Sequence, residues 1–164
     1  MRDTNTSERA ITQESCQASL RPPLWVWNRR IGWVSTCLGA ATGLVMGLWS
    51  FDGPFSVPGW LGEYDQTARR LARLGHIAWF GLGILNLFVA GELRRSALSV
   101  WGRRTASWAM NFGNVFLPLT LFAAAAYRPL KYFMTAPALA VFLALSVTAY
   151  GVWCGKLPSA GGEQ

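Results

Sequence analysis

The chain has 164 residues, of which 52% are hydrophobic and only 14% charged; soluble domains carry roughly 25% charged residues. Fifteen Lys and Arg outweigh eight acids, for a net charge of +7. The basic residues flank apolar runs, as in a membrane protein oriented by its cytoplasmic charges, and no nucleic-acid-binding motif accompanies them. The length allows one domain.

Residues 1–30 begin as a polar tail that lacks the apolar surface to fold alone. Its end is interfacial: Trp25 and Trp27 suit the headgroup region, and Arg29 and Arg30 suit its phosphates. Residues 31–51 are free of charge. As a helix they would reach about 31 Å, the thickness of a hydrocarbon core. Residues 52–64 form a loop punctuated by Gly53-Pro54, Pro58-Gly59 and Gly62. Phe55, Val57, Trp60 and Leu61 place that loop along the membrane surface. Residues 66–73 read as a short helical lead-in to a second apolar run, 74–91.

Arg94, Arg95, Arg103 and Arg104 mark a polar loop, and a third run follows at 105–127 with Pro118 inside it. Arg128-Pro129-Leu130-Lys131 is a tight turn into the fourth run, 132–155, and 156–164 is a short polar tail. The expected fold is an all-α integral membrane protein, a four-helix transmembrane bundle of two antiparallel hairpins over 31–155. Runs three and four lack the polar face of a soluble helix, and none of the runs alternates as a barrel strand does.

Orientation follows from the charges. With the N-terminus cytoplasmic, ten basic residues lie inside and five, Arg69, Arg70, Arg73, Arg128 and Lys131, outside. Both termini are therefore expected in the cytoplasm of a plasma or inner membrane.

Gly39, Gly43 and Gly47 stand four apart on the first helix, and Ala136, Ala140 and Ala144 repeat that spacing on the fourth. Small residues let helices approach closely, so these ladders are expected to pack within one bundle or against a partner subunit. Asn86, Asn111 and Asn114 lie at matching depth on helices two and three. Amides in hydrocarbon seek each other, which predicts an interhelical clasp, or alternatively a polar site for a small solute.

His76 is the one histidine. Imidazole ligates metals and haem iron, and Met46 or Met134 at similar depth would complete a b-type haem site. The plainer expectation is a histidine bonded to a carbonyl. Cys16, Cys37 and Cys154 have no metal-site spacing, no acid falls inside an apolar run, and no nucleophile is paired with a base.

The expected function is a non-enzymatic accessory or scaffold subunit of a membrane assembly, with the lipid bilayer, other membrane subunits or a second copy as partners and no cofactor. A haem redox protein using His76 and a small-solute transporter using the asparagines are the alternatives.

Overall fold

The computed structural model describes residues 23–50, 53–62 and 66–155. The polar tails at 1–22 and 156–164, with Cys16, lie outside the described residues. Four long helices follow in order: α1 (Leu24–Gly47), α2 (Thr67–Arg95), α3 (Val100–Ala126) and α4 (Thr135–Cys154). Short 3-10 helices at Gly59–Leu61 and Arg128–Met134 join them, and no strand occurs among the described residues. Thr67–Arg95, Val100–Ala126 and Arg128–Cys154 are each long and apolar enough to cross a membrane. Helix α1 is long enough, at 24 residues, but less apolar.

The helix boundaries differ from the uncharged runs in an instructive way. Helix α1 starts at Leu24, seven residues before the run at 31, and α2 starts at Thr67 and ends at Arg95. Charge does not break a helix; it only moves the side chain toward water, and long arginine stems allow this. Runs of uncharged residues therefore mark hydrocarbon depth, whereas helix ends follow capping and turn residues. Ser99 caps α3 by accepting from the Gly102 N–H at 3.2 Å. The fourth helix instead begins late, because Arg128–Met134 winds as a 3-10 segment after Tyr127 leaves helical geometry.

Helices α1, α2 and α3 pack on one another, and α4 lies mainly against α3. Helices α1 and α2 run antiparallel, since Gly32 meets Leu87 and the Gly83 carbonyl while Gly39 meets Phe80 and Gly43 meets His76. The main core joins Leu82, Val89 and Leu93 of α2 to Ala106 and Met110 of α3 and Ala144 of α4. A second cluster closes the loop end, where Leu61 seats itself on Ala72 and Ala125. Leu61 thus packs the loop onto the end of the bundle, while Phe55 and Trp60 of the same loop stay exposed. Gly62 ends the Gly59–Leu61 segment at φ 62°, a backbone conformation that favours glycine. Arg69, 8% exposed, donates to the Trp49 carbonyl at 3.3 Å and ties α2 to the end of α1.

The outward surface is apolar on every helix. Leu44, Phe88, Trp108, Phe142 and Trp153 are all exposed, the last at 90%. A continuous apolar surface of this kind is not tolerated in water and suits hydrocarbon.

Candidate functional site

The polar centre of the bundle is a ring of three asparagine side chains, one from each of α1, α2 and α3. Asn28 donates from Nδ2 to Oδ1 of Asn86 at 2.7 Å. Asn86 donates to Oδ1 of Asn111 at 2.9 Å. Asn111 closes the ring by donating to Oδ1 of Asn28 at 3.4 Å. The Ser107 hydroxyl adds a second donor to Asn28 Oδ1. Every amide gives one hydrogen bond and accepts at least one, which satisfies groups that hydrocarbon would leave without partners. Asn28 and Asn86 are fully buried.

Asn28 was legible only as part of an interfacial segment, yet it anchors the ring. The signal that points to it is spacing. Asn28, Gly32, Ser35 and Gly39 recur at four, three and four residues, and these four are the buried residues of α1. Position 28 therefore shares the glycine face, not the face of Trp27, Arg29 and Arg30, which are exposed. Ser107 is identified in the same way, four residues before Asn111 on α3.

Asn114 is close in sequence to Asn111 but stands outside the ring. It is fully buried, and neither side-chain Oδ1 nor Nδ2 has a hydrogen-bond partner. One turn later comes Pro118, buried within α3. Proline has no N–H, so the carbonyl of residue 114 also loses its usual helical donor. Helix α3 thus carries an unsatisfied polar turn next to a satisfied one.

His76 lies ten residues from Asn86 on α2, about 15 Å along the axis. Its Nδ1 is 2.7 Å from the Gly39 carbonyl, and since a carbonyl only accepts, Nδ1 carries the proton. Thr42 Oγ1 is 3.5 Å from the same nitrogen. The ring rests on Gly43, where a Cβ would come 2.5 Å from Cε1 and 3.0 Å from Nε2. Met46 packs beside Leu61 and Ala72, and Met134 ends the 3-10 segment that leads into α4. Among the described residues no group of three His, Cys, Asp or Glu converges.

The two small-residue ladders meet different neighbours. Gly39 sits against the backbone of Phe80, with a Cβ position only 2.6 Å from its nitrogen, and Gly43 sits against His76. Gly47 faces open space. On α4, Ala144 is fully buried, Ala140 half-buried and Ala136 exposed. Helix α4 meets α3 where Gly113 abuts Val141 and the Pro137 carbonyl. The glycine ladder therefore joins α1 to α2, and the alanine ladder enters the core through Ala144 on the other side of the bundle.

No known protein family matches this chain, and no curated protein or solved structure is significantly similar to it.

Proposed function

We propose that the chain is a four-span membrane bundle with both termini cytoplasmic, acting as a non-enzymatic accessory or scaffold subunit of a larger membrane assembly. The observation that carries this reading is how the molecule divides its polarity. Asn28, Asn86 and Asn111 are spent on one another, and the outer faces are left apolar. The low apolarity of α1 supports a fourth span once its faces are separated. Positions 32–47 hold seven Gly, Ser or Thr residues, and the buried ones among them, Gly32, Ser35 and Gly39, lie on the inner face. Trp33, Val34, Leu38 and Leu44 point outward. What lipid would meet on α1 is apolar.

Helix α4 supports the partner. It is apolar throughout and uncharged, and the span that contains it is the least buried of the three. With α2 it borders an open groove of about 840 Å³ lined by Leu85, Phe88, Leu145, Ala149 and Trp153. A transmembrane helix of another subunit fits such a groove, with Trp153 as its anchor.

Two measurements test the proposal. A reporter fused after Gln164 is expected in the cytoplasm, and one inserted near Pro58 outside. A photocrosslinking amino acid at Trp153 is expected to yield a discrete heavier adduct in membranes, whereas one at Leu44 on the opposite side of the bundle is not. Adducts to lipid alone from both positions would remove the subunit reading, and an external C-terminal reporter would remove the topology.

A further inference from the structure

We propose that the exposed face of α1 binds an anionic phospholipid, its phosphate held between Arg29 and Arg30 and its acyl chains running outward along α1. The inference rests on the four-span reading, because it depends on α1 standing in the bilayer.

Six arginines, Arg29, Arg30, Arg94, Arg95, Arg103 and Arg104, gather at one end of the bundle, and Glu92 is the one acid among the described residues. Two of the six are set apart by depth. The Asn28–Asn86 bond fixes Arg29 near the height of Asn86. Arg94 is eight residues further along α2, about 12 Å lower, and Arg103 is four residues before Ser107, about 6 Å lower. Arg29 and Arg30 thus leave the helix about a turn or more deeper than the other four. A guanidinium at that depth must either extend to water or draw an anion inward.

The surroundings favour the anion. Trp25, Arg29 and Trp33 form one ridge at intervals of four, and Val26, Arg30 and Val34 form the next, and together they border a groove of about 500 Å³. The Arg30 guanidinium lies 5.5 Å from the Trp27 ring, and Arg94 of α2 reaches 5.9 Å from the ring of Trp25, one of the lining residues. Cation–π contact of this kind leaves guanidinium N–H groups available for phosphate oxygens. Beyond the charged end, Trp33, Val34, Leu38 and Leu44 provide an exposed apolar track. A groove bordered by two arginines that continues into an apolar track matches a headgroup joined to its chains, and a free phosphate would use only the first half.

The test uses the full-length protein in neutral detergent, with intrinsic tryptophan fluorescence following thermal unfolding. Dioleoylphosphatidylglycerol is expected to raise the midpoint by several degrees; dioleoylphosphatidylcholine and inorganic phosphate at equal concentration are not. R29Q/R30Q is expected to need about tenfold more phosphatidylglycerol for the same rise, while R103Q/R104Q stays within about threefold of the unaltered chain. Should the double variant fail to fold, R29Q and R30Q singly are each expected to weaken the response by about threefold. An unchanged response in R29Q/R30Q or in both single variants, equal stabilisation by phosphatidylcholine, or full stabilisation by inorganic phosphate would each overturn the proposal. Cys37, exposed on α1, separates this failure from that of the four-span reading. In a C16S/C154S background it is expected to resist a water-soluble maleimide from both sides of the membrane. Modification of Cys37 would sink the spanning helix; a resistant Cys37 with no lipid preference would sink the lipid site alone.

Discussion

Two polar contacts between α1 and α2, at Asn28 and at His76, lie about 15 Å apart along the bundle and are built by different means. At the arginine-rich end, three side chains on three helices complete each other, and each is needed because the others are there. At the loop end, His76 bonds to a backbone carbonyl, and what α1 contributes is absence of bulk at Gly39 and Gly43. The first contact specifies partners by chemistry; the second specifies distance. In hydrocarbon both are useful, because apolar surface alone offers little preference for one helix neighbour over another. The ring selects which helices meet, and the glycines set how closely.

The contrast is broken most directly at Asn28. Asn28→Leu removes the donor to Asn86 and the acceptor used by both Ser107 and Asn111. The expected loss is about 2–3 kcal/mol, from several modest bonds and the amides left without partners, read by reversible denaturant unfolding in mixed micelles. A loss no greater than that of a lipid-facing substitution such as Val34→Ala would mean that the ring does not hold the helices together.

At the loop end the expected effect depends on space. Gly39→Ala places its methyl against the Phe80 backbone, which cannot swing aside as a side chain can. About 1–3 kcal/mol is expected from the forced separation. Gly47→Ala, which meets nothing, is expected to change stability by less than about 0.5 kcal/mol. The same unfolding measurement compares the two, and equal effects would show that the ladder does not act through contact.

At Asn114 no loss is expected, and this sharpens the comparison within α3 itself. Asn111→Leu breaks ring bonds, whereas Asn114→Leu removes an amide whose two polar atoms have no partner. The leucine variant is expected to be neutral, or more stable by up to about 1 kcal/mol. A clear destabilisation by Asn114→Leu, comparable to that of Asn111→Leu, would reveal a hydrogen-bonded role for this amide.

The sequence by itself determined the helical class, four uncharged runs of which three stand as apolar spans, and the need for buried amides to find partners. It did so because long uncharged runs have few solutions in hydrocarbon, and because backbone polar groups there must be satisfied within the helix. The candidate amides Asn86 and Asn111 were legible for the same reason. Tertiary structure decided the rest. It brought Asn28 into the ring from a segment that reads as interfacial, left Asn114 out, and turned the glycine ladder toward α2. These outcomes depend on how each helix is rotated and on which neighbour it meets. Rotation is set jointly by all the contacting faces, so it cannot be read from one helix alone. Small residues permit close approach by any partner; only the packed arrangement shows that Gly39 meets Phe80 and Gly43 meets His76.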